Sequence, residues 1–400
     1  MVTLVALTAI TACDGGGGGQ GAATTTGAAQ FDLPRAVNAG GRVLTAPRIQ
    51  AVYFSGFPYA SEMDSFLGQL ASSDYWRQIA GEYGVGALAV APAQTSAVMV
   101  PAMVRGETDL PALVDQVISE GAGTHGPARD DTIYTLFLSP ATTLTESGSV
   151  LCGRGGASAF HLEVAVSGTK VPVAVIPTCA SFPGTNLTGV QVLTPAVSHE
   201  LLEAATDPFP TSAPAFARVD DAHFMWGLAT GGEIADLCAN EWPNLADVGG
   251  FPVQRSWSNA AAAGGGSPCV PVPPGEAYFN SIGRLPQSLQ VRIDASHTAS
   301  MPGLIVPLGS AATVAVDLRG ETAAPASWQV LAAELHDPRG LTAALGSMRA
   351  APTSGSRGDK VSVPISTTTT TGGGAFPLVV LSHATVGGAL HWWVGAMARQ

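Results

Sequence analysis

Positive charge is scarce in this 400-residue chain: Lys170 and Lys360 are its only lysines, Lys and Arg total 18 against 30 acids, and the formal charge is -12. No basic stripe is available to neutralise phosphates, which excludes nucleic acid as a partner. Charged residues of both signs make up only 12 %, too few for long helices laced with surface ion pairs. No apolar run approaches the ~20 residues that cross a bilayer as a helix. Also absent are a G-x-S-x-G elbow, a Walker loop and a Gly-rich dinucleotide turn after a strand, because the glycine runs at 15–19 and 264–266 fall in linkers or loops. No two cysteines have C-x-x-C spacing, so a thiolate zinc site is excluded as well.

What is present is 46 % apolar residues, 48 Gly and 29 Pro. That composition gives cores of small side chains joined by many loops, and the length suits two or three domains at roughly 100–200 residues each. Val2 to Ile10 is a short apolar run ending in Ile10-Thr11-Ala12-Cys13, which resembles a bacterial lipobox. The resemblance implies a signal peptide over 1–12, a lipid on the sulfur of Cys13, and a chain held to the membrane through that lipid. The location implied is the cell envelope, outside the cytoplasmic membrane, periplasmic or at the cell surface. No Lys or Arg precedes the run, a departure from the positive start that signal peptides carry. Asp14 and Gly15 to Gly19 then begin a flexible Gly/Ala/Thr linker over 13–45.

Cysteine usage agrees with export. With Cys13 set aside, Cys152, Cys179, Cys238 and Cys269 remain, an even number suited to an oxidising compartment. Three connectivities are open. Sequence proximity favours Cys152 with Cys179 and Cys238 with Cys269, each closing a loop worth roughly 3–4 kcal/mol in the chain-entropy picture.

Along the chain, Ile49–Phe54, Thr132–Leu138, Phe160–Val166 and Val171–Ile176 read as strands. Ser61–Tyr83 and Leu110–Ile118 read as helices, and Val85–Val100 as strand and loop. Their alternation predicts an α/β domain over 46–270, with a zincin-like α+β arrangement as the variant. A proline-dense stretch at 270–275 separates it from residues 276–400, where Leu289, Val291 and Ile293, then Val314, Val316 and Leu318, then Val361, Val363 and Ile365 alternate. Short strands at that spacing predict an all-β, immunoglobulin-like sandwich. His391, Trp392 and Trp393 are read there as core, with an exposed sugar-stacking site as the alternative.

The informative segment is Thr194 to Pro208. Thr194 can cap a helix with Pro195 at its first position, and Pro208 stops it near Asp207. At 100° per residue Val197, Leu201, Ala204 and Ala205 form an apolar arc, while His199, Glu203 and Asp207 stand one turn apart on the other face with Glu200 beside them. Ligands at i and i+4 on one helix face can hold one ion, and a Glu following the first His can serve as general base, the logic of the zinc-peptidase helix. Here Glu203 stands where that helix has a second His. Downstream, Gly232-Glu233-Ile234-Ala235-Asp236-Leu237-Cys238 offers two carboxylates within one turn. By analogy with zinc hydrolases that use a glutamate as third ligand, Glu233 would ligate and Asp236 would orient His199. His161 is the competing third ligand.

Residues 199–250 hold nine acids and one base, a local -8 of the chain's -12. Such crowding in a charge-poor chain calls for a cation. Zinc fits His199. Calcium on Glu203, Asp207, Asp220, Asp221, Glu233 and Asp236 is the alternative, and it would stiffen the 208–232 loop without catalysis.

Ser198-His199-Glu200-Leu201-Leu202-Glu203-Ala204-Ala205-Thr206-Asp207-Pro208, followed by Glu233-Ile234-Ala235-Asp236-Leu237-Cys238, resembles the Exordium, or phosphate-induced protein, family of plant cell walls and exported bacterial proteins. Val52-Tyr53-Phe54-Ser55-Gly56, Tyr75-Trp76 through Glu82-Tyr83, and Phe160-His161 are similar to the family's first strand, following helix and central strand. The resemblance covers about 48–259 and implies an extracellular setting and a fold, with no assigned reaction. The sandwich lies outside it. Two functions are therefore expected: a tethered zinc-dependent, peptidase-like hydrolase acting on a peptide or envelope polymer, or a non-catalytic envelope-binding or adhesion protein with a structural ion.

Overall fold

A computed structural model describes residues 31–152, 158–182, 185–335, 353–366, 374–384 and 388–400. The signal peptide, Cys13 and the linker up to residue 30 lie outside the described residues, as does the Thr/Gly stretch at 367–373. The described residues divide into two units, one within 37–217 and 245–257, the other within 31–36, 218–244 and 258–400. The second unit thus takes in 218–244, far upstream of the proline-dense stretch.

The first unit is mixed α/β. Val-, Ile- and aromatic-rich segments buried on both faces make its central strands, as expected where helices cover a parallel sheet. The strand order is Ala89–Val90, Arg48–Phe54, Thr132–Phe137, Thr169–Ile176 and Phe160–Val166, with Gln94–Ser96 also pairing with Arg48–Phe54. All pairs are parallel except the last, a hairpin. Its turn at Ser167 (φ 48°) and Gly168 (φ 84°) has both residues left-handed, the geometry that matches strand twist in tight hairpins.

Side chains alternate between the two faces of this sheet. Val52, Phe54, Tyr134, Leu136, Val173 and Val175 pack with Leu113, Val114 and Val117 of the Leu110–His125 helix. The other face carries Ala51, Thr135, Ala174 and His161, in register across four strands. Small side chains in three of those positions let the Thr194–Thr206 helix approach, and it contacts the strands holding Thr135, Ala174 and His161.

That helix is almost wholly buried: among its residues only His199 is not. The sheet covers one side of it, and residues 245–254 cover another. They form a hairpin of Leu245–Val248 and Phe251–Gln254, to which the helix is fixed by two hydroxyls. Thr194 Oγ1 donates to the Pro252 carbonyl at 2.6 Å, and Ser198 Oγ accepts from the Gln254 amide at 3.0 Å.

The second unit is built on a curled nine-stranded sheet within residues 279–399, where the described elements are all strands, as the alternation predicts. Its order is Phe279–Arg284, Thr313–Gly320, Lys360–Ser366, Ser327–Glu334, Gly374–His383, Leu390–Arg399, Thr298–Val306 and Gln287–Arg292, with Thr353–Ser356 pairing with Ser327–Glu334. Lys360–Ser366 joins the two halves, antiparallel to Thr313–Gly320 and parallel to Ser327–Glu334 through two residue pairs. The Phe224–Thr230 helix packs on Gly374–His383 and Leu390–Arg399. His391, Trp392 and Trp393 are 1, 1 and 2 % exposed; they are core, and the sugar-stacking alternative falls.

Both expected disulfides are present, Cys152–Cys179 in the first unit and Cys238–Cys269 in the second. They suggest a non-reducing, extracellular or periplasmic setting. No helix among the described residues is long and apolar enough to cross a membrane.

Candidate metal centre

Helix periodicity sets His199, Glu200 and Glu203 on neighbouring positions of the Thr194–Thr206 helix. Strand pairing brings His161 under them, because its partner Ala174 has no side chain beyond Cβ to stand in the way. Glu203 Oε2 lies 3.0 Å from His199 Nε2 and 3.8 Å from His161 Nδ1. Glu200 Oε2 lies 3.5 Å from His161 Nδ1, and Glu200 Oε1 4.0 Å from His199 Nε2.

The charge is unbalanced. The side chains of His161, Glu200 and Glu203 are 5, 7 and 3 % exposed, and that of His199 is 14 % exposed. Uncompensated carboxylates at such burial cost several kcal/mol each, so two adjacent ones call for a proton or a cation between them. His161 meets part of the demand. Burial acts most strongly on it and disfavours its charged form, but a hydrogen bond to Glu200 and the charges of Glu203, Glu200 and Asp207 together prevail and hold it above the ordinary histidine value.

The donor set suits a metal. One nitrogen of His161 and one oxygen each of Glu200 and Glu203 lie within 4.8 Å of one another, a group that could hold an ion. Nitrogen and oxygen donors at ~2.0–2.2 Å from tetrahedral zinc stand about 3.3 Å apart. The separations of 3.0, 3.5 and 3.8 Å bracket that spacing.

Asp207 has a structural partner of its own. Asp207 follows the helix and is fully buried; its Oδ1 accepts from the Ala215 amide at 2.7 Å, pinning the 208–217 loop. Glu233 and Asp236 belong to the second unit. There the Glu233 carbonyl accepts from Leu237 N at 3.1 Å, and Asp236 opens a 3-10 turn ending at the disulfide-bonded Cys238.

Asp220 and Asp221, two of the six residues read for calcium, are engaged by nitrogen. Asp220 binds His223 Nδ1 at 2.8 Å and the Arg35 amide at 2.7 Å. Asp221 binds His297 Nε2 at 2.7 Å.

Three hydroxyls have roles that local pattern does not reveal, and Thr194, read as the cap, is instead the first residue of the helix. Thr194 and Ser198 hold the helix to its covering strand. Thr135 Oγ1 is buried without a hydrogen-bond partner, in the register row that ends at His161. Period-2 alternation in Thr132–Phe137 does place Thr135 on one face, but nothing local says what covers that face.

No protein-family model matches the chain, and no curated protein or solved structure matches it either.

Proposed function

We propose that the first unit is a zinc-dependent hydrolase domain, zincin-like in its use of one ligand-bearing helix, in an exported protein tethered to the cell envelope by a lipid on Cys13. The observation that carries this reading is the burial of Glu200 and Glu203 beside two histidines. His161, His199 and Glu203 would hold the ion. Glu233, the third ligand by analogy, stands on the second unit, and within the first unit His161 takes that place. The likeness to the Exordium family, which rests on the sequence motifs, supports the same location and fold.

When bound, zinc supplies Lewis acidity for attack of water on an amide or ester carbonyl of a peptide or envelope polymer. Glu200 accepts the proton of the attacking water and holds it on a carboxylate oxygen. Glu200 stands within 3.5 Å of His161 Nδ1 and 4.0 Å of His199 Nε2, next to the nitrogens that would hold the ion. Because Glu203 is an anionic ligand, it lowers the net positive charge of the site, and turnover is slow. In the second unit the curled sheet is an immunoglobulin-like module that makes contacts rather than bonds.

A second reading is favoured by the small exposures just given: the ion is structural, and the protein is a non-catalytic envelope-binding or adhesion protein. The two readings diverge at Glu200. Glu200→Gln abolishes hydrolysis of peptide and ester substrates while retaining metal if the site is catalytic. If it is structural, no metal-dependent hydrolysis is detected in the parent chain and the substitution changes none.

A further inference from the structure

On the sheet face opposite His161, at the amino ends of the parallel strands, the first unit has a small solvent-open cleft lined by Arg48, Gln50, Gln94, His125, Arg129 and Tyr134, among others. Its chemistry is the reverse of the chain's acidic balance. Arg48 is half-buried, and its guanidinium makes no hydrogen bond or ion pair among the described residues. His125, half-buried at the end of the Leu110–His125 helix, likewise has none.

The nearby acids are already engaged. Asp131 takes Nε and Nη2 of Arg129, at 2.9 and 2.5 Å. Glu120 takes Gln94 Nε2, Ser96 Oγ and the Ala97 amide. The walls are stiff as well. Gln50 is buried and donates to the Pro92 carbonyl at 2.8 Å, and Gln94 donates to the Val117 carbonyl at 3.1 Å. Tyr134 Oη accepts from the Arg129 amide at 3.2 Å, which leaves its own O–H to donate. Burial is the main cause that raises the Tyr134 pKa, so that proton stays in place at neutral pH.

We propose that this cavity is a carboxylate-binding site, in which the Arg48 guanidinium grips a single carboxylate with Tyr134 O–H and His125 beside it. A guanidinium fork matches a planar carboxylate in a bidentate pair. One unengaged guanidinium also suits one negative charge better than a tetrahedral dianion. Two sources carry that group, a free small carboxylic acid and the terminal carboxylate of a peptide. The site is independent of the proposed metal centre, which uses the other sheet face.

The test is isothermal titration of the full chain at fixed ionic strength with acetate, with acetyl-alanyl-alanine and with the C-terminal amide of that peptide. The expected result is binding of at least one acid, no binding of the amide, and affinity reduced roughly tenfold or more by Arg48→Gln, with metal content unchanged. Binding of acetate alone assigns a free acid as the source, and binding of the peptide acid assigns a peptide terminus. His125→Gln is the second variant, expected to weaken binding severalfold should Arg48→Gln fail to fold. Equal binding of acid and amide, no binding of either acid, or wild-type affinity in the variants that fold overturns the proposal.

Discussion

Each unit sets a histidine against carboxylates under cover, and the two arrangements differ in count. In the second unit Glu241 and His391, 4 and 1 % exposed, meet one to one. Glu241 Oε2 pairs with His391 Nδ1, and its Oε1 accepts from the Trp392 amide at 3.2 Å. Both oxygens are used to hold residues 239–244 to the last strand, where Trp242 and Leu390 also exchange backbone hydrogen bonds. In the first unit Glu200 and Glu203, at similar burial, crowd together beside His161 and the less buried His199, which lies 3.0 Å from Glu203. A one-to-one pair closes its own account of charge and serves as a structural staple. Two buried carboxylates side by side, with two histidine nitrogens facing them, offer a cation a set of donors instead.

The largest effect that sharpens this contrast is expected at the staple. Glu241→Ala leaves the His391 ring and the Trp392 N–H without their acceptor inside the core. It should lower stability by about 3 kcal/mol, read by urea denaturation, with no change in metal content. A loss below about 1 kcal/mol would break the comparison.

Next is Asp207, a carboxylate of the first unit whose Oδ1 has a structural partner. Asp207→Ala should cost about 1–3 kcal/mol by losing the bond from Ala215 N, and raise hydrogen exchange at that amide. Glu203→Gln should behave oppositely. Without metal it removes one of two crowded charges, so stability changes by less than about 1 kcal/mol or rises, while metal binding is lost.

The smallest effect is a pH dependence in the second unit. His223 lies 2.8 Å from Asp220 and 3.5 Å from Asp32, which are partly exposed. Burial disfavours its charged form, but hydrogen bonds and charge from the two aspartates win, raising its pKa to about 9. Because the folded value exceeds the unfolded ~6.5, its contribution is complete below about pH 6.5 and disappears as pH rises through about 9. Denaturation midpoints measured from pH 6 to 10 should fall over that window, and His223→Gln should flatten the fall.

Much of the frame was legible because it depends on local signals. Pro195 and Pro208 bracket a helix expected to end near Asp207 and found to end at Thr206. The Phe160–Val166 strand was placed to the residue, and neighbouring Val-rich strands to within two residues. Both disulfides followed from proximity along the chain. The Leu110 helix was read as ending at Ile118 but runs to His125, since Gly121 and Gly123 are tolerated there; Gly121 lies against Gln94, where a Cβ would fall 2.4 Å from its Oε1.

The polar face of the Thr194–Thr206 helix is plain from periodicity, yet nearly all of it is buried. Its cover comes from 245–254 and from the His161 strand, both distant in sequence, so helical periodicity alone carries no sign of it. Membership of 218–244 in the second unit was hidden for the same reason. His161 was named as a candidate, but its place beneath Glu200 depends on register with Ala174, a long-range property.

The most direct test of the central claim is metal content by elemental mass spectrometry on the chain lacking residues 1–13, beside His161→Ala, His199→Ala and Glu203→Ala. Near-stoichiometric zinc in the parent chain, lost in all three variants while Glu241→Ala retains it, is the predicted result. Calcium in its place, or no metal in a folded parent chain, would contradict it.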